Sequence, residues 1–485
     1  MRRSLILLWL LLCIPSPSLR AQGVASSSLQ VYSNLSGINT NDTVGCNANS
    51  KTSQTVYHLC YPDATIGGNS GLVACGWSNG TITATVTDDA SSTYTSQIGP
   101  SRHSGGQDVQ IWLASPIGTG AHQVTVTFSA AVTGVRCAVP QLFNINTSSP
   151  SCGTAVNGQS GGSTTVSAGS ITSSEANCLY FQFDGEEDQF GAHPTYTVGS
   201  GWTFENADGR SGWASQTKIN TSASAMPCSM TVDTAKSYNT SCVALRRDLA
   251  QGAAPTGMYV RSLAMFNLKD SSTSYVFQTP CTGNLLVWAT NSVDTTTSVS
   301  SIAHANPGTS FSQVGTGIAG VEGVQQIFWD VQTWTNSTTS TLTMSNTNDN
   351  NNAMYYCIAG ASATGQPDSS LATASGSCTN CSPITTITIT PSSASGIMIA
   401  TQGDALEHSR SGTPQGTQDN QDNNNHWTHF GYSSSSAQAF TVTIFPAATG
   451  PGNYSMAGAA FKAPAAGGAT PAINKRAKLD KVDGR

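Results

Sequence analysis

Apolar residues recur at every second position over much of this chain. Ile82, Ala84 and Val86 alternate with threonine, as do Val124, Val126 and Phe128. The same rhythm returns at Leu342 and Met344, at Ile387 and Ile389, and at Val442 and Ile444. A period of two sends the apolar side chains to one face of a strand and threonine to the other. Each run therefore predicts a half-buried antiparallel strand. Clusters of Gly, Asn, Asp and Ser separate the runs, among them Asp88-Asp89, Gly158 to Gly162 and Asn346 to Asn352, and these predict turns. No window carries a convincing helical period. Many short strands with closely spaced turns imply packed sheets, so the expected fold is all-β, built from antiparallel β-sandwich domains of jelly-roll or immunoglobulin-like type.

The pattern also repeats on a longer scale. Gly71 to Cys75 resembles Leu285 to Ala289, and Ser96-Gln-Ile-Gly99 returns as Ser312-Gln-Val-Gly315. Gln110-Ile111 returns as Gln326-Ile327, each before an aromatic residue, and Arg136-Cys137 returns as Tyr356-Cys357. Trp213 falls opposite Trp427, and Cys242 to Leu245 falls opposite Gly458 to Phe461. Landmarks in a constant order with slightly drifting offsets indicate an internal duplication with loop insertions. Two tandem domains are expected, over 28–248 and 258–464, joined by a Gly/Ala/Pro linker near 249–257.

Composition narrows the function. Only 9% of the 485 residues are charged, whereas Ser and Thr number 65 and 60. Twenty basic residues spread over this length give no positive surface for nucleic acid. Residues 1–21 read as a secretory signal peptide. Arg2 and Arg3 precede an apolar run from Leu5 to Ile14, and Ala21 is a small residue suited to cleavage before Gln22. That run is too short to span a bilayer, and no later stretch reaches spanning length, so no transmembrane segment is expected. The chain is read as secreted, extracellular or bound to the cell surface. Twelve cysteines remain beyond Cys13, an even number that fits disulfides in an exported protein. In the second domain Cys378 and Cys381 are expected to close a tight loop. A flexible basic tail, 465–485, carries Lys475, Arg476, Lys478, Lys481 and Arg485.

Candidate chemistry gathers in a few places. Asp184, Glu186, Glu187 and Asp188 place four carboxylates within five positions after an apolar strand. Such a cluster is either solvated at a loop tip or bound to a cation, and Asp184, Glu186 and Asp188 are the set that suits Ca²⁺. The same carboxylates could serve a polysaccharide hydrolase if two of them flanked a sugar cleft. Trp213 and Trp427 are candidates for stacking on a glycan. Ser160 lies in a G-x-S-x-G match, but in a Gly/Ser/Thr-rich stretch without a following helix, so a catalytic role is disfavoured. His426 and His429, with Glu407 or His408, could ligate a metal only if a turn brought them together. Sequons at Asn34, Asn79, Asn220, Asn336 and Asn453 follow from the Ser/Thr content.

The segment Val86-Thr-Asp-Asp-Ala-Ser-Ser-Thr-Tyr94 precedes a strand containing Trp112 and then Val124-Thr-Val-Thr-Phe128. Together with the closing Ala460-Phe461-Lys462, it resembles a recurrent Ser/Thr-rich β-sandwich module of exported bacterial surface or adhesion-like proteins. The resemblance implies a secreted sandwich and carries no catalytic residues. The second copy departs from it, placing His304 and Asn306 where the first has the acidic pair. The combined expectation is a non-enzymatic binding or adhesion protein for a glycan or another cell-surface component. A secreted hydrolase using the 184–188 carboxylates and a purely structural envelope or spacer protein are the alternatives.

Overall fold

The structure is a computed structural model that describes the strand 24–30 and most of the chain from 54 to 464. Short interruptions remain, of which 187–194 and 433–439 are the longest. The signal and tail segments therefore lie outside the described residues. Every regular element among the described residues is a strand, and none is a helix long and apolar enough to cross a membrane.

Strand pairing repeats one plan. The first copy has a sheet ordered Val24–Gln30, the second part of Gln123–Leu142, Ser70–Ser78, Gln107–Ala114, Tyr94–Arg102. The first part of Gln123–Leu142 lies between Gln54–Cys60 and Ala84–Asp88 in a smaller sheet. One long strand thus passes from the small sheet into the large one. Ala225–Leu245 does the same in the next copy. Its second part lies beside Cys178–Glu186, which is followed by Trp213–Asn220 and Thr203–Asp208, while its first part pairs with Tyr196–Val198. Val156–Thr172 runs alongside both parts.

The third copy orders Tyr259–Leu268, Asn351–Ala359, Leu285–Ser292, Gly323–Val331 and Ser312–Gln313. Its small sheet is Ser274–Gln278, Thr339–Met344 and Val299–His304. The fourth orders Ala372–Thr379, Pro451–Phe461, Ile397–Asp404, His426–Tyr432 and Thr417–Gln421. Its small sheet is Thr385–Ile389, Phe440–Phe445 and Ser409–Thr413. The pattern recurs roughly every 110 residues, so each repeat unit of the sequence contains two sandwiches. The duplicated landmarks occupy matching strands: Ser96 and Ser312 on edge strands, Gln110 and Gln326 one strand inward, Trp213 and Trp427 on the fourth strand of their sheets.

The large sheets are buried on both faces. Leu72, Ala74, Ile111 and Leu113 of the first sandwich meet Leu179, Phe181, Phe183, Val243 and Leu245 of the second. The opposite faces close against the small sheets, Val73, Cys75 and Trp77 against Val86 and Val126, and Tyr180 against Ala168 and Met226. In the second half Val287 and Ile358 pack with Ile399 and Phe461, and Met398 and Met456 with Ile387 and Ile389. This layering explains why Leu285–Ser292 opens with an unbroken apolar run, Leu285 to Ala289, instead of an alternation. All eight of its positions are buried, whereas the small sheets face water on one side and keep the strict period of two.

Disulfides Cys75–Cys137, Cys152–Cys178, Cys228–Cys242 and Cys281–Cys357 join described residues. Cys228 and Cys242 belong to the same long strand and pin its small-sheet part to its large-sheet part. Cys378 lies on Ala372–Thr379, but the Cys378 side chain and Cys381 are outside the described residues. The segment Gly158 to Gly162, expected as a turn, lies instead within Val156–Thr172, with Ser160 opposite Tyr238. Glycine is needed there because a Cβ at Gly158 would run into the carbonyl of Ser167. The strand folds over itself at this point, which an Asn/Gly/Ser composition does not distinguish from a turn.

The two halves meet where Val24–Gln30 pairs in parallel with Tyr259–Leu268, which joins the large sheets of the first and third copies into one, and through paired polar groups. Arg261 Nη2 lies 3.0 Å from Glu205 Oε2, with Arg261 and Glu205 side chains 12% and 4% exposed, and Thr217 donates to the same carboxylate. Gln278 bonds both backbone groups of Tyr196, at 2.8 and 2.7 Å. Removing one partner of a buried ion pair leaves an uncompensated charge and costs about 3–5 kcal/mol, while apolar replacement of both is often close to neutral. Arg261→Met is therefore expected to lower urea-unfolding stability by a few kcal/mol, and adding Glu205→Leu to recover most of the loss. Equal stability of Arg261→Met and the wild type would show that this junction does not hold the halves together.

Candidate functional site

The acidic segment starts inside the molecule. Along Cys178–Glu186, Leu179, Phe181 and Phe183 face the first sandwich, which sends Cys178, Tyr180, Gln182 and Asp184 to the opposite face. Asp184, expected at a solvated loop tip or in a cation site, is fully buried, and its Oδ2 accepts a hydrogen bond from Tyr196 Oη at 3.1 Å. Strand alternation decides this. Phe183 occupies the inter-sheet core, so its neighbour must enter the sandwich interior. The backbone of Glu186 continues the strand opposite Tyr238. The Glu186 side chain, Glu187 and Asp188 lie outside the described residues, as does any Ca²⁺ arrangement that depends on them.

Trp213 is also internal. It pairs with Gly185, is fully buried, and stacks on Phe183 with ring centroids 5.8 Å apart. An enclosed indole offers no face to a sugar ring. Trp427 sits at the matching place on His426–Tyr432, opposite Gln402, but its side chain is not among those described. The same holds for His426, His429, Glu407 and His408.

The structure surrounds Asp184 with residues that the sequence did not single out. Across the large sheet, Ala214, Asp184 and Thr240 share one row, and Gln216, Gln182 and Cys242 share the next. Gln216 Nε2 donates to Gln182 Oε1 at 2.7 Å and to the Ser229 carbonyl at 2.9 Å, and Gly199 N donates to Gln216 Oε1 at 3.1 Å. Gln182 Nε2 donates to Thr240 Oγ1 at 3.0 Å, and Thr240 Oγ1 donates to the Phe183 carbonyl at 3.0 Å. Gln182, Asp184, Gln216 and Thr240 are all 0% exposed. Buried amides and hydroxyls are tolerated only when they satisfy one another, and this network is extensively bonded. A usable signal was the pair Gln182 and Asp184 breaking an otherwise apolar alternation. In so Ser/Thr-rich a chain, Thr240 carried no signal.

Other chemistry-bearing groups are likewise engaged internally. Asp88 Oδ1 accepts from Ala90 N and Ser92 N at 3.1 and 2.8 Å, and Oδ2 accepts from Tyr94 Oη at 3.1 Å, fixing the turn. Burial raises the phenols of Tyr61 and Tyr94, whose oxygens lie 2.9 Å apart. Cys152, Cys178 and Glu175 form the one group with metal-ligand proximity among the described residues. Its two sulfurs are joined in a disulfide and Glu175 is paired with Arg246 at 2.8 Å, so the donors are already committed. No protein-family model matches the chain, and no curated protein matches its sequence.

Two buried ionisable groups make stability depend on pH in opposite senses. Asp108 is fully buried 3.9 Å from Arg102, and burial pushes its carboxyl up to about 6, partly opposed by that guanidinium. His304 lies between Phe311 and Trp334 at centroid distances of 4.3 Å, its Nδ1 3.1 Å from Ser340 Oγ. Burial lowers His304 to about 4, against a smaller opposing backbone hydrogen bond. The folded state thus binds a proton more readily than the unfolded chain at Asp108, and less readily at His304. On acidification from about pH 6.5 to 4, Asp108 adds stability and His304 removes it, each by roughly 2–3 kcal/mol, so the two act against one another. In Asp108→Asn the urea midpoint should fall over this interval, and in His304→Gln it should rise. Profiles parallel to the wild type in both variants would contradict these assignments.

Proposed function

We propose that the mature chain is an exported, non-enzymatic adhesion protein that binds a carbohydrate polymer or a similar hydroxyl-rich surface component through its strand faces. The observation carrying this reading is the outward face of the small sheets. Thr85 lies opposite Thr127 and Thr87 opposite Thr125 in the first sandwich, and Thr165, Thr231 and Thr197 form one row in the second. Thr85, Thr87, Thr127, Thr165, Thr197 and Thr231 are exposed. In the fourth, Thr388, Thr441 and Thr413 stand at one backbone register across the three strands. Such rows present hydroxyl and methyl groups side by side, which suits the mixed O–H and C–H surface of a polysaccharide. The disulfides and the signal-like N-terminus support export. Enclosure of Asp184 and Trp213 weighs against a hydrolytic cleft built on them.

Co-sedimentation of the mature protein with insoluble cellulose, chitin and xylan tests this reading. The protein is expected to pellet with at least one polymer without releasing reducing sugar, and Thr87→Lys with Thr127→Lys should lower the bound fraction several-fold. Absence of binding to every polymer and to intact cell envelopes would favour the spacer role. Sugar release that disappears in Glu186→Gln would favour the hydrolase.

A further inference from the structure

We infer that one chain binds two strands of an uncharged polysaccharide at once, one on each of two opposite faces, and so bridges them. This rests on the carbohydrate reading above and adds how many binding faces there are and where they point. The joining of the first and third large sheets through Val24–Gln30 fixes the directions. Residues paired side by side across a sheet share a face, and so do residues two apart on one strand. Ala138 packs against the second sandwich, and Pro140 therefore shares its face. From Pro140 the pairings run through Ser27, Ser262 and Cys357 to Leu286. Leu286 and Trp288 thus lie on the side of the joined sheet that the second sandwich covers, and there Phe277 of the third small sheet packs on Trp288. The other side is covered by the first small sheet, through Val86 and Val126, and by the fourth sandwich, through Ile399 and Phe461. The second half is turned over relative to the first.

Each half is four sheets deep, and sheets pack about 10 Å apart, so the two outer faces lie roughly 30 Å from one another. Each outer face presents two small sheets. One carries the row Val276, Thr341 and Ala303 of the third copy beside Thr197, Thr231 and Thr165 of the second. The opposite one carries Val56, Thr127 and Thr85 of the first beside Thr388, Thr441 and Thr413 of the fourth. Val56 and Val276, 38% and 62% exposed, are the large apolar side chains left open among the described residues. Both stand on an edge strand of their small sheet, and they precede the matched cysteines Cys137 and Cys357 by the same interval. An exposed valine at one place in both copies is a surface feature duplicated with the domain, not a scattered apolar residue. No side chain in these four rows is ionisable, so they hold nothing that attracts a charged polymer. Methyl groups flanked by hydroxyls match the C–H and O–H groups of a neutral sugar chain. Faces turned away from one another cannot engage one flat surface together, so a polymer on one face leaves the other free for a second.

Beads coated with cellulose, chitin or arabinoxylan, in two colours for each polymer, test the bridge. The mature protein is expected to draw beads of both colours into mixed aggregates with at least one of these polymers. Beads coated with alginate, an anionic polymer, should stay bare and dispersed. Val276→Lys with Thr231→Lys alters one face, and Val56→Lys with Thr388→Lys alters the other. Either pair should leave a protein that still binds the beads but aggregates them about ten-fold less, and all four changes together should abolish binding. Binding by the wild type without aggregation would overturn the bridge and leave the carbohydrate reading standing, whereas no binding to any neutral polymer would remove both. Aggregation lost in one pair and undiminished in the other would also overturn it, because a dimer that binds through a single face behaves in that way. Equal binding to alginate would overturn the restriction to uncharged polymers. Resistance to proteolysis confirms that each variant is folded.

Discussion

Burial of the large sheets on both faces is the constraint from which the rest of this structure follows. Within each half the two large sheets face one another, and each is closed on its other side by a small sheet. A strand in such a position has no solvent side, so its residues are mostly apolar or bonded within the protein, and Asp108, whose carboxylate makes no hydrogen bond and has Arg102 only at 3.9 Å, takes up a proton more readily instead. Leu285–Ser292 meets the condition chiefly with aliphatic residues and Trp288. Cys178–Glu186 meets it with Phe181 and Phe183 on one face and a bonded amide, hydroxyl and carboxylate network on the other. The long strands that cross from small to large sheet, Gln123–Leu142 and Ala225–Leu245, are how one chain supplies two layers.

The same constraint separates the groups that carry chemistry from the groups that meet solvent. Asp184, Trp213, Asp108, His304 and Glu205 are all enclosed, and each is accounted for by a neighbour: Tyr196, Phe183, Arg102, Ser340 or Arg261. What faces outward on the small sheets is mostly threonine and serine. A chain with few charges can remain well hydrated in this way, because each outward hydroxyl bonds water while its methyl covers the sheet. Enclosed polar groups and exposed hydroxyl rows therefore occupy different layers, and changes to one need not disturb the other.

The fold was legible in the sequence where one face of a strand meets water. Val124, Val126 and Phe128 alternate with threonine and are buried, as are Ile387 and Ile389. The duplicated Gln110-Ile111 and Gln326-Ile327 segments do occupy matching strands. The finer repeat was hidden because the paired sandwiches diverge in sequence while keeping strand order. Gly71 to Cys75 shows little likeness to Leu179 to Phe183, although both form the central strand of a large sheet. The site was less legible. Asp184 looked like the first residue of an acidic loop because Glu186, Glu187 and Asp188 follow it, and only register with Thr240 and Ala214 shows which way it turns. Gln182, Gln216 and Thr240 lie far apart in the chain and belong to residue types that abound here, so nothing short of the pairing joins them.

Hydrogen–deuterium exchange of the mature protein, read by mass spectrometry, tests the two-faced burial most directly. Amides of Cys178–Glu186 and Leu285–Ser292 should exchange only at the rate of global unfolding, and those of the edge strand Tyr94–Arg102 should exchange far earlier. Exchange of Cys178–Glu186 as fast as that of Tyr94–Arg102 would mean that the large sheet has an open face, and the layered arrangement proposed for both interior and surface would not hold.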